Sequence, residues 1–169
     1  MANIEGTGLN QDDLVTFLTL MNTQLTAVLT LLDSDTGVTL TTYVATYGIT
    51  FPTTTISATG IRSQGDILTF LDTWRTNFIA MLTALDGDAG ITAVNWASTG
   101  AITDVIDTTA AGNLYQTGMN QSQLVNYLQT CITAFAVFTA KADADGDIDT
   151  ATYATNNITD TVINTGCND

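Results

Sequence analysis

Apolar residues recur along three stretches of the chain with the spacing of one helix face. In each stretch the steps between them alternate between four and three residues, the period of an amphipathic helix with a heptad-like stripe. The pattern predicts three long helices of about 22 residues, ending at 32, 85 and 142. The stripe residues are Leu14, Leu18, Met21, Leu25, Val28 and Leu32, then Ile67, Leu71, Trp74, Phe78, Met81 and Leu85, then Leu124, Leu128, Cys131, Phe135, Phe138 and Ala142.

The three stretches are copies of one repeat. Leu14 corresponds to Ile67 after a shift of 53 positions, and Ile67 to Leu124 after a further shift of 57. The correspondence includes the residues that follow each helix, which makes chance agreement improbable. The sequence therefore predicts one domain over 1–169, built of repeats 8–60, 61–117 and 118–169.

Each repeat carries two helix start signals. The first is a capping box, in which a cap residue is followed three positions later by Asp or Gln. The second is a hydrophobic staple, in which an apolar residue before the cap pairs with an aromatic residue five positions on. It predicts a short helix at about 40–47, 93–99 and 150–156. The capping boxes are Asn10 with Asp13, Ser63 with Asp66, and Asn120 with Gln123. The second caps are Thr39, Thr92 and Asp149, with staples Val38 and Tyr43, Ile91 and Trp96, and Ile148 and Tyr153.

The connectors between repeats are rich in Thr and Gly and long enough to return along a helix, so parallel long helices are feasible. Their apolar residues predict brief extended segments: Ile49, Phe51, Ile102, Val105 and Ile106. We expect an all-α fold in which three tandem repeats form a pseudo-threefold helical bundle. Trp74 would lie opposite Met21 and Cys131, and Phe17, Phe70 and Tyr127 would broaden the core. A linear stack of helical hairpins is the alternative.

The charge balance narrows the classes of partner. The chain has 17 acidic and 3 basic residues, for a net charge of −14. Such a field repels phosphate backbones and anionic lipid, so nucleic acid and membrane surfaces are not expected partners. Much of the remaining polar surface must be neutral, since 35 of the 169 residues are threonine. Short neutral side chains lose little conformational entropy on contact, which suits packing against other proteins.

The ends of the chain and its cysteines suggest an intracellular origin without a disulfide framework. The first ten residues lack the basic and apolar regions of a signal peptide. Polar residues interrupt every apolar stretch, so no membrane-spanning segment is expected. Cys131 lies on the third apolar stripe and is expected to be a buried thiol, while Cys167 lies in the C-terminal tail. A bridge between the two stays open.

Three Asp-rich loops follow the long helices, and two explanations compete for them. Calcium prefers six to eight oxygen ligands, and Asp143, Asp145, Asp147 and Asp149 offer the best set. The EF-hand pattern fails, however, because the position of its final glutamate is held by Val44, Ala97 or Ala154. The favoured explanation is local hydrogen bonding in Asx turns, with Gly37 and Gly90 in a left-handed conformation at the helix end.

Catalysis has little support in the sequence. There is no histidine, no phosphate-binding glycine loop followed by Lys, and no partner for the serines or cysteines. Trp74 and Trp96 are assigned to the core and to a staple instead of a ligand cage. We therefore expect no enzyme, and assign no catalytic, cofactor-binding or metal-ligating residue.

The turn "LDGDAGITAVNWAS" at 85–98 resembles a motif of small structural proteins of tailed bacteriophages, in which a helix leads through an L-x-A-D-x-G-V-T-D-x-D-Y-A-like turn into a short helix. The resemblance is best at 85–97 and weaker at 32–45. It is weakest at 142–154, where Asp147 replaces the glycine.

The resemblance implies a structural virion protein made in the host cytoplasm. It suggests a capsid decoration (cement) protein that packs in many copies, without covalent chemistry, against the major capsid protein or other virion proteins. A tail, baseplate or fibre subunit is the alternative within that class. A calcium-dependent adhesion or binding module is the alternative from a different class.

Overall fold

The computed structural model describes residues 11–53, 55–56, 64–103, 121–149 and 152–158, and every regular element among them is helical. The all-α prediction is therefore confirmed. The elements in chain order are α1 (Gln11–Ser34), α2 (Tyr43–Tyr47), α3 (Gln64–Asp86), α4 (Trp96–Thr99), α5 (Gln121–Ala144) and a terminal 3₁₀ helix (Tyr153–Asn156).

The long helices begin where the sequence predicts and end slightly later. Each starts directly after its expected cap, and the caps themselves (Asn10, Ser63 and Asn120) lie outside the described residues. The helices continue one or two residues past the last apolar position because the polar residues there still join the backbone hydrogen-bonding pattern. The amide of Asp35, for example, still donates to the carbonyl of Leu32 at 3.3 Å. Apolar periodicity marks the buried stripe, and the helix itself extends beyond it.

The predicted apolar stripes form the core. Every stripe residue is buried, and none is more than 7% exposed. The flanking residues Phe17, Phe70 and Tyr127 are buried as well, as predicted. Removal of this apolar surface from water is the main favourable term in folding.

The three long helices run in the same direction. The indole N–H of Trp74 donates to the carbonyl of Met21 at 3.1 Å, and the two residues occupy corresponding positions in α3 and α1. The rings of Phe78 in α3 and Phe135 in α5, also corresponding positions, lie 5.6 Å apart. Beyond the C-terminal ends of the helices, Thr39 bonds to Asp88 and Thr92 bonds to Asp147. Contacts both at mid-helix and beyond the same ends place neighbouring helices parallel to each other.

Bulky and small side chains are distributed unevenly among the helices. Trp74 stacks on Phe78 at 5.2 Å and approaches Phe135 at 6.0 Å, so α3 and α5 supply the aromatic part of the core. At the level of Trp74 the other two helices supply Met21 and Cys131, both fully buried. Met21 lies against Trp74, as predicted, whereas for Cys131 the structure shows burial alone, so volume compensation across the layer stays a prediction.

By length and composition alone, residues 13–34 of α1 could cross a membrane. Its most apolar positions, including Leu18, Leu25 and Leu32, are buried in the core. A helix that packs its apolar face inside a bundle has the same composition, so the finding does not favour a membrane location.

The short helices begin three residues later than predicted. They start at Tyr43, Trp96 and Tyr153, and the third is a 3₁₀ helix. No side chain of the residues that now precede them, Thr42, Asn95 and Thr152, caps them. The expected caps Thr39, Thr92 and Asp149 were wrong, because their amides bond to a neighbouring loop. The staple residues Val38, Ile91, Ile148, Tyr43, Trp96 and Tyr153 are nevertheless all buried.

The first connector packs on the next long helix. Phe51 contacts Phe70 of α3 edge-on at 5.1 Å, and Asn77 of α3 donates to the carbonyl of Tyr47 at 3.1 Å. Ile102 of the second connector is buried. The described connector residues form no strand, and Val105 and Ile106 lie outside the described residues.

Replacing Trp74 by Phe tests the central layer. The change removes the hydrogen bond to Met21 and leaves a cavity, so we expect the free energy of unfolding to fall by about 2 kcal/mol in urea denaturation. Thr73→Ala, at the exposed neighbouring position, should change it by less than about 0.5 kcal/mol. Equal effects of the two variants would contradict the proposed role of Trp74.

Candidate functional site

The Asp-rich segments at the ends of the long helices are the most distinctive chemical feature of the described chain. Three loops follow the long helices: loop 1 (residues 35–42), loop 2 (87–95) and loop 3 (145–149 and 152). Together with the last turn of each helix we call them the loop junction. It contains eight of the 17 acidic residues: Asp33, Asp35, Asp86, Asp88, Asp143, Asp145, Asp147 and Asp149.

The first aspartate of each pair caps the following short helix. Asp33 accepts the amide of Tyr43 at 2.5 Å with one oxygen and that of Val44 at 3.0 Å with the other. A carboxylate at the end of one helix is therefore stabilised by the positive N-terminus of the next. Sequence reasoning missed this contact, although the aromatic residue always stands ten positions after the aspartate. The corresponding pairs are Asp86 with Trp96 and Ala97, and Asp143 with Tyr153 and Ala154, at 2.6–3.0 Å.

The second aspartate forms the predicted Asx turn. Asp35 accepts the amide of Gly37 at 3.0 Å, two residues further on. The same bond joins Asp88 to Gly90 at 2.8 Å and Asp145 to Asp147 at 3.0 Å. The turn satisfies an amide that the end of the helix leaves free, as local hydrogen bonding requires.

Carboxylates also join the loops to one another. Asp88 of loop 2 accepts two hydrogen bonds from Thr39 of loop 1, at 3.0 Å from the amide and 2.7 Å from the hydroxyl, and a third from the amide of Leu40 at 2.9 Å. Asp147 of loop 3 accepts the amide and hydroxyl of Thr92 in loop 2, at 2.7 and 2.5 Å.

The remaining pair of loops closes the cycle. Asp35 of loop 1 accepts the amide of Asp149 in loop 3 at 3.1 Å, and the hydroxyl of Thr36 donates to the carboxylate of Asp149. The backbone amides of Thr39, Thr92 and Asp149 thus each donate to the carboxylate of a neighbouring loop, and between loops 1 and 3 the hydroxyl of Thr36 adds a bond in the opposite direction. The donors Thr39, Thr92 and Asp149 are the residues expected from sequence to cap the short helices.

The loop glycines are required for a different reason from the one predicted. Neither Gly37 nor Gly90 has a left-handed φ angle. A Cβ atom on Gly37 would instead overlap the carbonyl of Asp147, and one on Gly90 would overlap the carbonyl of Gly37. The loops approach too closely for side chains there. Among the described non-glycine residues, Asn95 is left-handed, with φ 72°, a conformation that Asn tolerates.

Burial and hydrogen bonding oppose each other at Asp88. Asp88 is 8% exposed, and this burial raises the pKa of its carboxyl group. The bonds from Thr39, Leu40 and Gly90 outweigh burial and hold the pKa below its ordinary value of 3.8. The bonds from Thr92 likewise lower the pKa of Asp147. Both groups are therefore stabilised as carboxylates by the contacts between loops.

Two buried tyrosines lie beneath the loops. Burial, and then the nearby carboxylates Asp88 and Asp35, raise the pKa of Tyr43 and Tyr153 respectively. Both phenols thus keep their protons, and the hydroxyl of Tyr153 donates to Asp35 at 3.4 Å. The hydroxyl of Tyr43 has no hydrogen-bond partner within the described part of the chain.

The carboxylates proposed for calcium are already engaged. Asp143 caps the 3₁₀ helix, Asp145 closes an Asx turn, Asp147 binds Thr92, and Asp149 accepts from Thr36. Across the described residues, no three His, Cys, Asp or Glu side chains are grouped to hold a metal ion. Hydrogen bonding accounts for the positions of these aspartates, and calcium binding stays a prediction.

The basic residues that the structure describes are both in internal contacts. Arg75 pairs with Asp72 at 3.2 Å. Lys141 of α5 donates to the carbonyl of Val94 at 3.1 Å and lies 4.2 Å from the ring centre of Trp96. Lys141 therefore joins α5 to loop 2 by a hydrogen bond and to α4 by a cation–π contact. The hydrogen bonds to the junction carboxylates described above come from N–H and hydroxyl donors.

The outer faces of the long helices are nearly uncharged. Many threonine hydroxyls there donate to the backbone carbonyl four residues earlier, for example Thr23 to Thr19 at 2.9 Å. This bond satisfies the hydroxyl within its own helix. Other threonines with this bond are Thr19, Thr26, Thr30, Thr73, Thr83, Thr130 and Thr133.

Two open surface grooves lie beside these faces. The larger, of about 460 Å³, is lined by uncharged residues of α5 and by Thr99 and Ala101. The smaller, of about 200 Å³, lies between the first connector and α3. Neither contains a nucleophile beside a base. Cys131 is fully buried with its thiol free, and burial raises its pKa, while Cys167 lies outside the described residues.

No protein-family model, curated protein or solved structure matches this chain. The functional interpretation therefore depends on the residues and contacts described above.

Replacing Asp33 by Asn tests the long-range cap. The amide group presents a donor to one of the two backbone N–H groups, so we expect the free energy of unfolding to fall by about 1–3 kcal/mol. Asp72→Asn removes the same charge from a surface ion pair and should cost less than about 1 kcal/mol. Chemical denaturation measures both, and a larger loss for Asp72→Asn would contradict the assignment.

Acid should weaken the contacts between loops. Because the folded-state pKa of Asp88 and Asp147 is lowered, their contribution to stability is present above the ordinary value of 3.8. It is lost as the pH falls below that value and through the lowered pKa. Urea denaturation at a series of pH values should show the decline, and Asp88→Asn should make it shallower. An unchanged slope in this variant would argue against a role for Asp88.

Proposed function

We propose that the chain is three tandem repeats closed into a pseudo-threefold bundle. The support is that equivalent residues make equivalent contacts. Each helix-end aspartate caps a short helix ten residues later, and an amide of each loop donates to a carboxylate of the neighbouring loop. A linear stack would leave its first and last repeats apart, whereas Asp35 and Asp149 are hydrogen-bonded.

We propose further that this bundle is a structural protein of a tailed-phage virion, best suited to decorating the capsid. The observation that carries the proposal is that uncharged polar surface and acidic surface occupy different parts of the protein. The helix faces present threonines whose hydroxyls are bonded within their own helix, while eight of the 17 acidic residues lie at the loop junction. Neutral faces lose little solvation or side-chain entropy on contact, which favours packing between proteins.

The partner expected for such a surface is the major capsid protein or another virion protein. Many copies would each contribute a modest non-covalent contact, and together they would stiffen the shell. The acidic end would face outward or dock on a basic patch of the shell. The same charge disfavours binding to packaged DNA or to a membrane.

Immunogold labelling of intact particles with an antibody against this chain tests the proposal. We expect label distributed over the head, with many copies per particle by quantitative mass spectrometry. Label confined to the tail would instead support the tail, baseplate or fibre alternative. Absence from particles, together with a large melting shift in millimolar calcium, would favour the calcium-dependent module.

A matched pair of variants tests the contact surface. Thr23, Thr76 and Thr133 occupy equivalent exposed positions, one on each long helix. Replacing all three by Lys should abolish binding to shells that lack the protein, because a flexible charge is costly to bury. Replacing all three by Ser keeps the neutral character and should preserve binding. Equal binding of both variants would show that these faces are not the contact surface.

A further inference from the structure

The hydroxyl of Tyr43 is a buried polar group that the contacts of the loop junction leave without a partner. Tyr43 is fully buried at the start of α2, and its hydroxyl forms no hydrogen bond within the described part of the chain. Burial without a hydrogen bond is unfavourable for a hydroxyl. The large majority of buried side-chain polar groups in folded proteins are bonded to protein or to ordered water.

The equivalent tyrosine of the third repeat shows where this hydroxyl is directed. Tyr153 stands four residues after the loop 3 amide that donates to Asp35, and its own hydroxyl donates to the same carboxylate at 3.4 Å. Tyr43 likewise stands four residues after Thr39, whose amide donates to Asp88 at 3.0 Å. The repeat therefore directs the hydroxyl of Tyr43 towards Asp88.

The charges around Tyr43 agree with this direction. Burial has the largest effect in raising the pKa of its phenol, and the negative charge of Asp88 has the next largest, ahead of Tyr47 and Asp33. Charge interactions weaken with distance, so a carboxylate with this effect lies close to the phenol. Asp88 is therefore a neighbour of the hydroxyl, although the two share no direct hydrogen bond.

Asp88 has one oxygen that can accept a further donor. Its Oδ1 atom accepts three hydrogen bonds, from the amide and hydroxyl of Thr39 and from the amide of Gly90. Its Oδ2 atom accepts one hydrogen bond among the described residues, from the amide of Leu40 at 2.9 Å. A carboxylate oxygen offers about two lone pairs, so Oδ2 can accept one more. At Asp35 the Oδ2 atom is the one that accepts the tyrosine hydroxyl.

We propose that a single buried water molecule bridges the hydroxyl of Tyr43 and the Oδ2 atom of Asp88. The water accepts a hydrogen bond from the phenol and donates one to the carboxylate, so both groups are satisfied. Buried waters make about two to four such bonds to polar groups that would otherwise lack a partner. The bridge extends the contact between loops 1 and 2 to the start of α2.

A cation suits this position less well than water. The position offers one neutral hydroxyl and one oxygen of a carboxylate that already accepts four hydrogen bonds. Calcium, by comparison, takes about six to eight oxygen ligands.

The other two repeats satisfy the corresponding group by direct bonds. The hydroxyl of Tyr153 donates to Asp35, and the third aromatic residue is Trp96, whose indole N–H donates to the carbonyl of Ala93 at 3.0 Å. Within the described residues, the water site is therefore particular to the contact between loops 1 and 2. Tyr153 provides a matched control, because it is an equivalent buried tyrosine with a direct partner.

Nuclear magnetic resonance of the purified protein tests the bridge, independently of any role in a virion. A water at Oδ2 of Asp88 lies next to the amide proton of Leu40, which donates to the same oxygen. We expect a nuclear Overhauser cross-peak between that amide and water, with the sign of a water that stays bound for longer than the protein takes to tumble. Tyr43→Phe removes one of the two partners of the water and should abolish the cross-peak. Tyr153→Phe should retain it, and circular dichroism checks the helical content of both variants.

Three outcomes would overturn the proposal. A cross-peak that persists in Tyr43→Phe would originate from the exchanging hydroxyl of Thr39, which bonds to the same carboxylate. Absence of the cross-peak from the wild-type protein would exclude a long-lived water. If Tyr43→Phe does not fold, a high-resolution crystal structure of the wild-type protein decides. A density peak within hydrogen-bonding distance of both oxygens is then expected, and its absence rejects the bridge.

Discussion

Hydrogen bonds from backbone amides to carboxylates at one end of the bundle organise this protein. Each long helix ends in an aspartate that would be unfavourable beside the negative end of the helix dipole. The structure places the free amides of the next helix against that carboxylate, so the two unsatisfied ends stabilise each other. The second aspartate of each pair closes an Asx turn. In loops 1 and 2 this aspartate, Asp35 or Asp88, also accepts hydrogen bonds from a neighbouring loop. Without these contacts the parallel helices would share an apolar core but have no fixed order at their ends.

The repeats are equivalent in their contacts without being identical in their residues. Asp147 stands where the other loops have glycine, and its side chain takes over the contact between loops that Asp35 and Asp88 make elsewhere. Trp96 stands where the others have tyrosine, and its ring is covered by Lys141. Such substitutions change which side chain makes a contact, while each loop stays joined to its neighbour.

The distribution of charge connects the fold to the proposed role. Acidic side chains are concentrated at the loop junction, where backbone N–H groups and hydroxyls donate hydrogen bonds to them. The outer faces of the long helices instead carry mainly threonine and other uncharged residues. A face of this kind is polar enough to stay solvated and neutral enough to be covered by another protein at small cost. A rigid bundle with such faces needs no reactive group to act. Its contribution would be mechanical, through contact area and number of copies.

The sequence by itself determined the three apolar stripes, the starts of the long helices and the Asx turns. These features depend on residues within a few positions of one another, and helical periodicity or turn chemistry reveals them directly. The late start of the short helices, the caps supplied by Asp33, Asp86 and Asp143, and the close approach at Gly37 were decided by the tertiary structure. Thr39 illustrates the reason. Its sequence context is that of a helix cap, but its amide meets Asp88, 49 residues away, and that partner exists only once the loops are brought together.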